Sequence, residues 1–276
     1  MSFQETRIEA GYAAKNYWRD LFKNTELLVI LAKRDISVRY KQTLLGTGWA
    51  VVRPFATTMV MVFVFSYIAK LKSDPGVPYP LMVLSGITIW TFFSNTFVQV
   101  SGSILYNSNL VTKVYFPRLL MPFSAVIVGF VDFLVALGLY IVIAIWYQYP
   151  PSTNIIYLPF FIILSLMASL AFGLFFAVIN VRFRDVAQLI PFLVQIGFYI
   201  CPIAYSSSLG RGEWWYKYYT LNPLVGIIEG FRWCLLGEGA YFNPNSLIAS
   251  VAIVTLFLVF SVYYFRREEN SFVDHI

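Results

Sequence analysis

Charge is scarce in this 276-residue sequence: Lys, Arg, Asp and Glu together make up 12% of it, about half the share usual in soluble domains. Histidine occurs once, as His275, one residue from the end, and cysteine twice, as Cys201 and Cys234, each among apolar neighbours. A lone terminal histidine and two thiols without spaced partners make a metal site improbable, and a buried thiol behaves as a small hydrophobe. Neither a paired-aspartate motif nor a histidine and carboxylate cluster occurs, so an enzymatic reading has no group of acids, bases or nucleophiles to rest on. The GxxxxGK[S/T] loop that cradles nucleotide phosphates is missing as well. Residues 1–26 mix both charge signs and contain no apolar run of leader length, so a cleaved secretory signal is not expected and the amino terminus should stay on the side of synthesis.

What is abundant is apolar surface. Hydrophobic residues reach 59% and aromatic ones 19%, and the mean hydropathy is +0.69. These values predict an all-α integral membrane protein, because about 20 apolar helical residues cross a bilayer core. Six spans are expected, at 50–69, 79–100, 119–147, 155–181, 186–205 and 246–265, in a single membrane domain occupying 1–276. The third and fourth come from one uncharged run that the segment YPPSTN, 149–154, must divide, since paired prolines end a helix. Fifteen of the 20 lysines and arginines fall in connections on the side of the amino terminus, and five fall on the other side. That asymmetry predicts both termini in the cytoplasm. It also explains the net charge of +6 without a nucleic-acid partner.

Between the fifth and sixth spans the stretch NPLVGIIEGFRWCLLGEG, 222–239, is apolar yet carries Glu229 and Arg232, and it is short for a crossing. A full seventh span would export the basic carboxy terminus, so a re-entrant hairpin over 214–239 preserves the topology; a helix lying flat on the outer surface is the alternative. Glu229 and Arg232, three apart, could pair. In the fifth span Gln188, Phe192, Gln195 and Tyr199 share one helical face, and in the second Ser85, Thr88, Phe92, Asn95, Gln99 and Gly102 do the same. Such stripes either line a wet passage for a hydroxyl-rich solute or hydrogen-bond between helices. Asp132 lies deep in the third span, where a bond to a neighbouring helix is expected. Residues 25–48 are expected to form an amphipathic helix in the interface plane, with Val29, Ala32, Ile36 and Tyr40 on its apolar side. The loops at 107–118 and 181–186 are short and basic, which suits docking to a partner or to anionic lipid.

The segments RDISVRYKQTLLGTGWAVVRP, LVTKVYFPRLLMP, NVRFRDV and NPLVGIIEGFRWCLLG, in that order, resemble the membrane subunit of type 2 ABC exporters, specifically the O-antigen, capsule and teichoic-acid permeases. The resemblance implies a homodimer in a bacterial inner membrane, working with two copies of a separate cytoplasmic ATPase that binds ATP and Mg, and moving a lipid-linked polysaccharide. This chain would carry no cofactor of its own. The coupling loop to the ATPase would include Asn109, Lys113, Tyr115 and Arg118, with Lys33, Arg34, Asp35, Arg39 and Tyr40 sharing the contact. The channel would be lined by the first and fifth spans, through Phe63, Tyr67 and the 188–199 stripe. The outer gate would hold Trp214, Trp215, Asn222, Pro223, Glu229 and Arg232. A lipid or drug cargo on the same fold, a polyprenyl-lipid transferase, and an ion-coupled carrier are the rival readings.

Overall fold

A computed structural model describes residues 12–40, 48–114, 116–183 and 185–272. Among them there are helices and connections and no strands. The helices are α1 (Tyr12–Lys23), α2 (Thr25–Tyr40), α3 (Trp49–Met61), α4 (Tyr79–Tyr106), α5 (Ser108–Lys113), α6 (Leu120–Trp146), α7 (Leu158–Arg182), α8 (Val186–Ile200), α9 (Tyr216–Tyr219), α10 (Pro223–Leu236) and α11 (Pro244–Glu268). A π-helical stretch, Val62–Ile68, prolongs α3. Five helical stretches are long and apolar enough to cross a membrane, and α8 is a shorter apolar helix.

The starts and stops follow from local chemistry. Proline opens α4, α7, α10 and α11 within their first two positions, where its missing N–H costs nothing. Asn222 and Asn243 cap α10 and α11 by accepting from the Leu224 and Asn245 amides, both at 3.0 Å. Arg182 closes α7, and Arg266 and Arg267 close α11, each countering the negative end of its helix. The YPPSTN segment ends α6 as expected: Ser152 accepts from the Asn154 amide and starts a 3-10 turn over Thr153–Tyr157.

Helix α4 is the axis of the bundle. It packs along α6 and α7, while α7 carries α11 on its other side. In the most apolar stretch of α4 83% of the residues are buried, against 11% for α3 with its π-helical extension and 22% for α11. One apolar core, around Phe92, Phe133 and Phe231, lies towards the hairpin between α8 and α11, hereafter the hairpin end. A second, around Leu119, Phe265 and Phe272, lies towards the opposite end, which carries Lys113, Arg118, Arg182 and Arg266 and is called the basic end.

Four expectations need correction. The fifth span stops at Ile200, five residues short of Tyr205, because Cys201–Tyr205 leaves helical geometry. The helix of the second span runs on to Tyr106 rather than stopping at Val100. Its polar stripe is wet only in part: Ser85 and Thr88 are fully buried and donate to Met82 and Leu84 carbonyls of their own helix, at 2.8 Å, whereas Asn95 is exposed and Gln99 half-buried. Finally, α2 does not turn Val29 inward. Leu28, Leu31, Ala32, Asp35 and Arg39 make its inner face, because α2 packs along α6, and Val29 is exposed.

Candidate functional site

The α5 corner gathers part of the expected coupling surface. Helix α5 exposes Asn109, Thr112 and Lys113, with only Val111 fully buried beneath it. Arg34 reaches it from α2, donating to the Asn107 side chain at 2.5 Å and to Asp35 at 2.7 Å. Lys33 is exposed on the same helix. Two residues expected on this surface turn away from it. Arg118 lies over the Phe272 ring at 5.8 Å. Arg39 pairs with Asp132 at 2.7 Å, so Asp132 does bond a neighbouring helix, but that helix is α2. Tyr115 and the Tyr40 side chain lie outside the described residues.

Replacing Asp132 by Asn is expected to cost at most about 1 kcal/mol, since Asn still accepts from Arg39 and the pair is partly exposed. Thermal unfolding of the purified variant measures this; complete loss of transport at normal expression would instead make Asp132 a working group.

A clamp at the basic end was not foreseen. Tyr17 of α1 donates to the Glu269 carboxylate at 2.9 Å and accepts from the Leu119 amide at 3.3 Å. The Arg266 guanidinium lies 3.8 Å over the Tyr17 ring. One phenol thus ties the first helix to the start of α6 and to the turn after α11. The available signal was the i, i+4 pair Tyr17 and Leu21, both buried here, in a segment otherwise rich in charge.

Burial holds the Glu269 carboxyl above the usual carboxylate range, against the opposing pull of the Tyr17 hydrogen bond and the Arg266 and Arg118 charges. An acid whose folded value is raised contributes most below its unfolded value and loses that contribution as pH climbs through the folded one. Docking of α1 should therefore be firmer at pH 5 than at pH 7.5, read as slower amide exchange over 12–23 after correction for intrinsic rates. Faster exchange at pH 5 would reverse the assignment.

The expected channel residues are unburied. On α8 only Val186 and Ile190 are buried, while Gln188, Phe192, Gln195 and Tyr199 are all exposed. Phe63 and Tyr67 are 60% and 73% exposed on the hairpin-end half of the first span. These two helices touch the bundle along narrow seams: α3 against α4 and α6, and α8 against α4 and α7. Each leaves a broad apolar and aromatic face that no other described residue covers.

The hairpin is built around α10, of whose fourteen residues eleven are buried against α4, α7 and α11. It is enclosed by the bundle, not laid on an open surface. Glu229 and Arg232, expected as a possible pair, make separate networks instead. Glu229 accepts from the Ser207 hydroxyl, from Ser246 Oγ at 2.6 Å and from the Asn243 amide at 3.3 Å. Arg232 donates to the carbonyls of Met82 and Tyr205, both at 3.1 Å, and of Ile203. The non-helical backbone after α8 needs those donors, and Gly86 leaves the room for them: a Cβ there would sit 2.7 Å from the guanidinium. Trp214 stands 80% exposed and Trp215 41% at the hairpin rim.

Residues 26–236 match the ABC-2 type transporter membrane family. The chain is 28% identical to the O-antigen export system permease protein RfbA of Myxococcus xanthus, over 91% of this chain and 96% of that one. It is 24% identical to the RfbA permease of Klebsiella pneumoniae, over 86% and 91% of the two chains. It is also 26% identical to the polysialic acid transport protein KpsM of Escherichia coli, over 85% and 91%.

Proposed function

This chain belongs to the ABC-2 type transporter family, and from that premise we propose that it is the channel-forming membrane subunit of an ATP-driven exporter moving a lipid-linked polysaccharide out across the inner membrane. The observation that carries the reading is α8, a helix bearing glutamine and aromatic side chains that the protomer leaves uncovered along most of its circumference. Apolar faces of that breadth do not stay open to water, and the polar residues among them suit a wet lumen better than lipid. A second copy of the chain, meeting this one across α3 and α8, covers the apolar part and leaves Gln188, Phe192, Gln195 and Tyr199 beside the passage. Aromatic rings such as Phe63 and Tyr67 offer flat faces to sugars. A teichoic acid, a lipid or a drug is the alternative cargo.

Energy comes from a separate ATPase, docked where α5 exposes Asn109 and Lys113 beside Arg34. The excess of lysine and arginine at that end supports both termini in the cytoplasm. The hairpin then faces outward, entering the bilayer from that side and forming the gate with Trp214, Trp215, Asn222, Pro223, Glu229 and Arg232. Its packing inside the bundle supports re-entry, because Gly86 and Ser250, which touch it, lie one to two turns within their own helices.

The test pairs Phe192→Cys, in a background lacking Cys201 and Cys234, with co-purification of the tagged chain. Oxidation is expected to cross-link two copies through position 192, and an ATPase subunit is expected at one per chain, its hydrolysis responsive to lipid-linked polysaccharide. A monomer with no nucleotide-hydrolysing partner would overturn the reading.

A further inference from the structure

A cavity of about 330 Å³ lies between α2, α3, α4 and α6, with Arg39, Trp49, Arg53, Thr91, Asn95 and Asp132 on its walls. Its height in the membrane follows from helix lengths. The first span, Trp49–Ile68, has 20 residues, about the 30 Å of a bilayer core. Its first turn therefore marks the boundary at the basic end. Helices α4 and α6 continue beyond the cavity by about 16–18 Å at 1.5 Å per residue, to Tyr106 and Leu120. Counted from the hairpin ends of α4 and α6, Asn95 and Asp132 lie about 21–24 Å along their helices, so the cavity opens in the basic-end third of the membrane, where the long arginine side chains reach towards lipid headgroups and Trp49 is the interfacial ring.

The chemistry of its walls is cationic and donor-rich. Arg53 makes no ion pair among the described residues; its guanidinium lies 5.8 Å over Trp49. Arg39 spends Nη1 on Asp132 and has further N–H groups to offer, so the carboxylate fixes the plane of the guanidinium more than it cancels its donors. Asn95 adds an exposed amide. A second cavity of about 380 Å³ adjoins on the far side of Arg39, and Gln99, which lines it, holds a buried Nε2 donor with no partner. Two guanidinium groups and an amide around one cavity suit an acceptor with several anionic oxygens.

We propose that this cavity is a binding site for the phosphate ester of a membrane lipid, held by Arg53 and Arg39 with Asn95, and with Asp132 as the positioning residue for Arg39. The lipid enters laterally at the first turn of α3, where Trp49 and Val52 are exposed, a turn left free by the second copy, which meets the chain further along α3. The same chemistry serves a bulk anionic phospholipid or the phosphate that joins a glycan to its polyprenyl carrier; the second source rests on the export reading above.

The test is native mass spectrometry of the full chain in mild detergent, with three probes: a short prenyl diphosphate, phosphatidylglycerol and the matching prenol. The phosphate lipids should stay bound in preference to the prenol. Arg53→Gln should weaken their binding about tenfold, the loss of one charge-assisted contact, while Arg211→Gln at the other end should leave it unchanged. Prenyl diphosphate displacing phosphatidylglycerol assigns the site to the export substrate, and the reverse order assigns it to bulk lipid. Equal retention of the prenol, or wild-type binding by folded Arg53→Gln, overturns the proposal. Should Arg53→Gln lose its thermal transition, Asn95→Ala carries the same comparison. Binding is read without ATPase or glycan, so its failure leaves the export reading standing.

Discussion

Arg232→Met is expected to unfold the hairpin end, at a cost of about 3–5 kcal/mol, the range for stripping one partner from a buried charged network. Methionine fills much of the volume but donates nothing. The carbonyls of Met82, Ile203 and Tyr205 would lose their donor in a place that is 3% exposed at the arginine. Two of those carbonyls belong to the non-helical turn after α8, which has few internal partners, so the damage should spread to the seating of α8. The measurement is the apparent melting temperature and the folded yield after heating. Arg232→Lys should recover only part of the loss, because an ammonium is a point charge and the three carbonyls surround a fork. A methionine variant melting with the wild type would mean that water reaches this turn. Glu229 and Arg232 use different hydrogen-bond partners but stand one turn apart on α10, so a double substitution should be non-additive, with a coupling smaller than a direct pair would give.

Gly226→Ala is expected to force α10 away from α11. A Cβ at 226 would stand 2.5 Å from the Ser246 carbonyl oxygen and 2.4 Å from Ser250 Oγ. The hydroxyl can rotate, but the carbonyl belongs to the first turn of α11 and moves only with the helix. Overpacking of this kind costs about 1–3 kcal/mol. Adding Ser250→Ala should therefore rescue little, which separates a backbone clash from a side-chain one. Full rescue would show that the hydroxyl alone was the obstacle. The Ser246 and Ser250 hydroxyls also serve Glu229 and the α11 backbone, so the clash should loosen the glutamate as well.

Most of the helices were legible because span detection needs only length and hydropathy, whereas the starts of α7, α10 and α11, set by proline and by the Asn222 and Asn243 caps, fell two to nine residues from the expected ones. The limits of α4 and α8 were not legible either. α4 runs on past Val100 because its last turns are buried against α6 and α7, and α8 ends early because Arg232, thirty-two residues on, supplies donors that let the backbone leave the helix. Neither partner is visible to a local window. The face of α2 was misread for the same kind of reason: its sequence is apolar on several sides, and packing on α6 selected Leu28, Leu31 and Arg39. Asp132 could be singled out as needing a partner, but its partner came from outside the predicted bundle. The shared face of Gln188, Phe192, Gln195 and Tyr199 was readable from periodicity, and among the described residues that face is exposed. The Tyr17 clamp was not readable, since it joins positions 252 residues apart.

The π-helical run at Val62–Ile68 has a phase consequence. A π turn holds one more residue than the α turn it replaces, so side chains beyond Met61 are displaced around the axis by about 100°, one residue's rotation. Accessibility plotted along the first span should then follow a 3.6-residue wave to Met61 and slip out of step after it. Phe63 and Tyr67, whose ring centroids are 6.4 Å apart, lie after the slip. Any alignment of this span with a relative that lacks the π turn will pair residues correctly on one side of Val62 and assign them to the wrong side of the helix on the other.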